Sequence, residues 1–261
     1  DVASFWSRSG LARLTAPKGA ELFPIRTAAG DHTTSIAAVA AINAALIQAL
    51  KTGKGQLVDV SLLRTGLYTI HTDLAIQLFF GRNASTRPRA EAYNPLTNFF
   101  KTKDDAWICI VARAGKSDLP RMARAFELPG IETDPRFQDG KSRRDSAVEI
   151  TAMFDAAFAK FTKEEMAARL TAEEIAWAPA QTLADVAVDP QVYAAGGIVD
   201  MPGQDGSGTF KSPGGPARFH GVDDGPKGPG PKLGEHTREI LRSIGYADAD
   251  IEAMYAGKSV A

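Results

Sequence analysis

The longest apolar stretch of the chain runs from Ile36 to Leu50, where Ala, Ile, Leu and Val are interrupted only by Asn43 and Gln48. Gly30-Asp31-His32-Thr33-Thr34 precedes it and Gly53 follows it. This pattern predicts a helix over residues 30–53, with the Asp31 carboxylate as its N-cap and Gly53 as its stop. Its apolar positions are not confined to one stripe, so the helix is expected to be buried on most sides. No run of about 18 uninterrupted apolar residues occurs, and no membrane span is expected. Next, Val58, Val60 and Leu62 alternate with Asp59 and Ser61, which predicts a strand over 56–63. A second helix is expected from about Thr65 to Phe80. Helix, strand, helix is the rhythm of an α/β domain, here residues 1–80.

Residues 81–95 are polar, with Arg82, Arg87, Arg89 and two prolines, and read as a linker. Residues 96–180 read as a smaller α+β domain. It has a strand at 106–111, helices near 117–127, 144–160 and 163–170, and a strand or edge at 176–180. The window 196–234 holds 12 of the chain's 24 glycines, so it is expected to be extended, with short strands. Its Phe210, Phe219 and Val222 point to docking on another surface. Helices at about 235–244 and from 248 close the segment 181–261, and no internal repeat is evident.

Charge and composition narrow the function classes. Thirty basic against 31 acidic residues leave a net charge of −1, which argues against a nucleic-acid partner and against electrostatic membrane docking. At 44% hydrophobic and 23% charged, the chain has the means for a sizeable core. The single cysteine, Cys109, excludes an intrachain disulfide and reads as buried core filler rather than a catalytic thiol. A reducing, cytoplasmic setting fits it. The chain begins with Asp rather than Met and shows no basic-then-apolar leader. The expectation is no signal peptide, and a fragment of a longer protein.

The common catalytic signatures are absent: no Gly-x-Ser-x-Gly, no Walker loop and no His-Glu-x-x-His. His32, His71, His220 and His236 lie far apart, and no metal site is expected. Two carboxylates stand out. Asp31 reads either as a helix cap or as a carboxylate held near a ligand. Asp1 precedes the aromatic stretch Val2-Ala3-Ser4-Phe5-Trp6, and by pattern alone it is a solvated terminus.

Several stretches in order resemble class III coenzyme A transferases, the CaiB/BaiF type that includes formyl-CoA, carnitine and bile-acid CoA transferases. Asp1-Val2-Ala3-Ser4-Phe5-Trp6-Ser7-Arg8-Ser9-Gly10 is similar to the family segment around its catalytic aspartate. Gly30-Asp31-His32-Thr33-Thr34 and the run from Thr52 to Leu63 follow. Asn94-Pro95-Leu96, Phe99 to Asp104 and Trp107 are similar to the start of the family's small domain. Asp189-Pro190-Gln191-Val192 and Lys232-Leu233-Gly234-Glu235-His236-Thr237 are similar to its closing signatures.

The resemblance implies part of a Rossmann-like large domain, a small α+β domain, and a C-terminal segment that returns to the large domain. It implies transfer of CoA from an acyl-CoA thioester to a carboxylic acid through an aspartyl-CoA intermediate on Asp1. Gly30 and Asp31 would lie near the CoA substrate, no metal would be needed, and two chains would form an interlocked homodimer. The family's preceding Rossmann-like half, which holds most of the CoA nucleotide, is not in this sequence, so residues 1–261 alone are expected to be inactive. Two stretches depart from family patterns. Gly81-Arg82-Asn83-Ala84-Ser85-Thr86 stands where some transferases have a glycine-rich closing loop. Arg113-Ala114-Gly115-Lys116 stands near a glutamate used by racemase relatives. An α-methylacyl-CoA racemase-like enzyme, in which Asp31 is essential, is the alternative reading. A noncatalytic remnant that binds a partner is the alternative from another class.

Overall fold

Helix-favouring alanines and leucines carry one unbroken helix from Ala29 to Thr52, and Gly53, at φ +70°, ends it. In the computed structural model, which describes residues 1–112, 118–204, 206, 208–223 and 225–260, the elements run in the following order. A π-helical turn spans Val2–Arg8, followed by α1 Leu11–Thr15, α2 Ala29–Thr52, α3 Leu62–Thr69 and α4 His71–Phe80. Then come β1 Thr97–Lys101, β2 Trp107–Val111, α5 Leu119–Phe126, α6 Gly140–Asp145, α7 Ala147–Phe158, α8 Lys163–Ala172 and β3 Ala176–Pro179. The last elements are α9 Leu183–Val186, α10 Pro190–Ala194, β4 Ile198–Pro202, β5 Thr209–Pro213, α11 Thr237–Ser243 and α12 Asp248–Ala256. The molecule is a mixed helix-and-sheet protein with small antiparallel sheets. Its contacts divide it into two compact units, Asp1–Ala180 and Gln181–Ala261.

Within the first unit, Phe5, Trp6, Leu11 and Ala12 form a small core, against which Ile25, Leu62 and Ile70 pack. The Trp6 indole donates to the Phe23 carbonyl at 2.8 Å. α3 approaches the π-helical turn closely. A Cβ on Gly66 would stand 2.7 Å from the Phe5 carbonyl oxygen, so only glycine fits there.

Three expectations for this region are corrected. Residues 56–61 pair with no strand among the described residues; Ser61 caps α3 instead, its hydroxyl accepting from the Arg64 N–H at 3.2 Å. An alternating pattern makes a strand only where a neighbour supplies ladder hydrogen bonds. The helix expected over 65–80 is two helices, broken at Ile70. α2 is not buried on most sides: Gly30 is its one buried residue, and Val39 is 59% exposed. By length and composition alone α2 is also apolar enough to cross a membrane, with mean hydropathy 1.6. The buried core helix of a soluble protein passes the same test.

The larger core belongs to residues 96–175. β1, β2 and β3 form an antiparallel sheet in that order, with Phe100 opposite Ile108 and Ile110 opposite Trp177. Phe100, Ile108 and Ile110 face inward. They meet Phe126 of α5 and Phe154 and Phe158 of α7, whose rings stack edge-on or tilted with centroids 5.0–5.6 Å apart. Cys109 lies on the other face of the sheet and is half-buried, which corrects its reading as core filler. Burial pushes its thiol pKa up, the direction that suppresses thiolate chemistry. Arg89 ties the segment before β1 to α7 through a bidentate pair with Asp155, at 3.0 and 2.8 Å. The helix expected near 117–127 is seen from Leu119. The stretch Arg113-Ala114-Gly115-Lys116 lies outside the described residues.

In the second unit, β4 and β5 pair antiparallel, with Met201 opposite Phe210. Asp189 caps α10 by accepting from the Gln191 N–H at 2.8 Å. Arg242 and Asp248, 2.7 Å apart, link α11 to α12.

Candidate functional site

Asp1 is drawn into the fold from both its backbone and its side chain. Its carbonyl accepts from the N–H groups of Phe5 and Trp6, each at 3.1 Å, and this shared acceptor starts the π-helical turn. Such turns recur at functional sites. Its carboxylate reaches the first turn of α2, where Oδ1 accepts from the Gly30 N–H at 2.9 Å. The side chain is only 11% exposed. Oδ2 is buried with no hydrogen-bond partner. A solvated, frayed terminus is therefore not what the fold makes of Asp1.

Asp31 does not cap α2. The N-cap is Ala28, in the left-handed region at φ +68°, and it has no side-chain cap bond. Asp31 sits one residue past Gly30, with its side chain 53% exposed, and the Gly30 N–H is met by Asp1 instead. A helix leaves its first N–H groups unsatisfied, and a carboxylate from any part of the chain can meet them. Asp31 Oδ1 lies 3.8 Å from the Asp1 backbone nitrogen. The three residues singled out, Asp1, Gly30 and Asp31, thus come together across 29 positions of sequence.

Pattern reading missed Phe5, which forms the wall of the site. A Cβ on Gly30 would overlap the Phe5 ring and stand 2.5 Å from Asp1 Oδ1. The available signal was the Gly-Asp pair opening a long helix. Pattern alone assigns that glycine to a turn, not to close packing.

Residues 81–86 are tied down. Gly81 caps α4, the Asn83 amide donates to the Asp73 carboxylate at 3.0 Å, and the Thr86 hydroxyl donates to the Leu14 carbonyl. Among the described residues, no group of three or more His, Cys, Asp or Glu side chains is placed to hold a metal ion.

Chemically, the arrangement is a desolvated carboxylate with one oxygen fixed by a backbone donor and the other free. A carboxylate in that state is equipped to act as a nucleophile.

Comparison with known proteins agrees in family. The profile described as CoA-transferase family III matches residues 1–237. The chain is 27% identical, over its whole length, to an (R)-2-hydroxy-4-methylpentanoate CoA-transferase of Clostridioides difficile, of which it spans 64%. It is 29% identical to a 2-methylfumaryl-CoA isomerase of Chloroflexus aurantiacus, over 78% of the chain and 52% of that protein. In structure it is similar to a CaiB/BaiF family protein from Brucella suis, with a TM-score of 0.76 and 23% identity, over 92% of this chain and 61% of that one. The chain thus spans less than two-thirds of the relatives it matches. The extent of the profile match, together with the fold, shows that the chain belongs to CoA-transferase family III.

Proposed function

We propose that the protein moves coenzyme A from an acyl-CoA thioester to a carboxylic acid, with Asp1 as the covalent carrier. The observation that supports this most is the Asp1 carboxylate itself: Oδ1 engaged by Gly30, and Oδ2 buried without a partner. Exchange of CoA between two acids without hydrolysis requires the acyl group to be held on the protein. Oδ2 attacks the thioester carbonyl, the C–S bond breaks, and CoA leaves as the thiolate. The product is a mixed anhydride of Asp1 and the acyl group. The thiolate then attacks the aspartyl carbonyl, the first acid departs as its carboxylate, and an aspartyl-CoA thioester remains. The acceptor acid runs the same steps in reverse. The low exposure of Asp1 serves this chemistry, because the anhydride survives only where water is excluded.

The substrates are small molecules, an acyl-CoA and a carboxylic acid, with no metal involved. The setting is cytoplasmic, and the assembly is an interlocked homodimer whose interface exceeds the roughly 2,000 Å² at which obligate pairs begin.

The test is mass spectrometry of the full-length protein incubated with acyl-CoA. A CoA adduct is expected on the Asp1 peptide, and Asp1→Ala should lose both adduct and transfer. Transfer that survives in Asp1→Ala would overturn the reading.

The Asp31 carboxylate, 3.8 Å from the Asp1 backbone nitrogen, favours a second reading, proton movement on an acyl-CoA without a covalent intermediate. It predicts solvent deuterium in recovered acyl-CoA, dependence on Asp31, and no adduct on Asp1.

A further inference from the structure

We infer that the Gly30 backbone N–H makes the two oxygens of Asp1 chemically distinct, and that it donates to the oxyanion formed when the aspartyl carbonyl is attacked. The inference rests on the covalent reading above and assigns a role within it. Three observations carry it. The Gly30 N–H stands 2.9 Å from Oδ1, inside the range of effective oxyanion donors. It belongs to the first turn of a 24-residue helix, where the helix dipole presents partial positive charge. Oδ2, by contrast, is buried and unpartnered. The unbonded oxygen is the better nucleophile, because attack from Oδ1 would first have to surrender its hydrogen bond.

The oxygens then have separate fates. Oδ2 forms the bond to the acyl carbon as the C–S bond breaks, and it becomes the bridging oxygen of the anhydride. Oδ1 becomes the aspartyl carbonyl oxygen and stays at Gly30. When the CoA thiolate attacks Cγ, the C=Oδ1 π pair moves onto Oδ1, where the N–H already points. Collapse restores C=Oδ1, breaks the Cγ–Oδ2 bond, and releases the first acid carrying Oδ2. In the return half, the acceptor carboxylate attacks Cγ of the thioester and supplies a new oxygen in the Oδ2 position, while Oδ1 is retained. Each cycle therefore exchanges one particular oxygen of Asp1. The close fit of Gly30 supports the same role, since a Cβ there would press on both Oδ1 and Phe5.

The experiment uses the wild-type protein with an acyl-CoA that it turns over and the matching acid labelled with 18O in both carboxylate oxygens. After many turnovers the protein is digested and the free-carboxylate Asp1 peptide is weighed, with the CoA adduct measured in parallel. A plateau at a single 18O per Asp1 is expected. A plateau at two 18O would show that the oxygens interchange between cycles, and it would overturn the inference while leaving the covalent reading intact. Absence of both adduct and label would instead overturn the covalent reading.

Discussion

At Gly30 the packing accepts nothing larger than hydrogen, because the Phe5 ring and the Asp1 carboxylate fill the space a Cβ would take. Gly30→Ala would push Asp1 Oδ1 off its donor and crowd the Phe5 ring. Loss of one oxyanion donor lowers kcat by roughly 100-fold or more, and that fall is expected here. A melting curve measured beside the kinetics separates lost chemistry from lost fold. Arg89 makes a contrasting case, because its work is structural. Its guanidinium pairs with Asp155, donates to the Phe99 carbonyl at 3.0 Å, and lies over the Trp107 ring. The pair is about one-third exposed, so solvent screens it, and Arg89→Ala should cost only about 1 kcal/mol. Thermal unfolding checks this, with a shift of about 2–4 °C expected for a chain of this size.

At the scale of elements, the helices packed on the β1–β2–β3 sheet take much of their definition from the aromatic cluster. Phe154 is fully buried and touches the rings of Phe100, Phe126 and Phe137. Phe154→Ala should cost about 3–5 kcal/mol in denaturant unfolding. Acid should also loosen this region. The Asp104 pKa is lowered chiefly by the Thr102 hydroxyl, that of Asp139 by the Ser142 N–H, and that of Glu173 by Arg124. A carboxylate whose folded pKa is depressed contributes stability above its unfolded value and loses it as pH falls through the folded one. These groups start from ordinary values of 3.8 and 4.5, so the melting temperature should fall below about pH 4 on their account. A curve flat to pH 2 would contradict this. Sequence pattern revealed β2, α8 and the β4–β5 region, where a short apolar run, a Thr162–Glu165 capping box or glycine content acts locally. It missed β1 because Phe99 faces outward while Asn98 is buried, its amide satisfied by the Arg89 carbonyl. That inverts the usual alternation. The capping of α2 was illegible for another reason: the cap comes from Asp1, and periodicity says nothing about partners 29 residues apart. Only the family resemblance directed attention to Asp1.

At the scale of the whole molecule, the question is what covers α2. Ile36, Val39, Ile42, Leu46 and Leu50 recur at three- and four-residue spacing, and all are more than half exposed. Phe79 and Phe80 of α4 are exposed as well. A continuous apolar strip of this kind marks an interaction surface in a soluble protein, because leaving it in water forgoes about 25 cal/mol for each Å². The expected state of the protein is therefore an assembly in which this strip is covered. With the strip uncovered, residues 1–261 should self-associate and fail to run as a monomer in light scattering at micromolar concentration. A paired substitution locates the surface. Val39→Lys with Leu46→Glu leaves helix propensity nearly unchanged, and the exposure of both sites removes any cost inside the isolated chain. If α2 is covered in the assembly, these charges are desolvated without partners, and the full-length protein should lose its oligomer and much of its stability. If α2 faces water, the same pair should raise solubility and leave mass and melting temperature unchanged. A third possibility, that α2 meets a lipid bilayer, predicts that wild type co-sediments with neutral vesicles and that the charged pair abolishes it. Loss of the oligomer in the charged variant, with no vesicle binding by wild type, is the outcome expected, because the same helix holds the Asp1 carboxylate through Gly30 and an apolar strip left in water on it is costly.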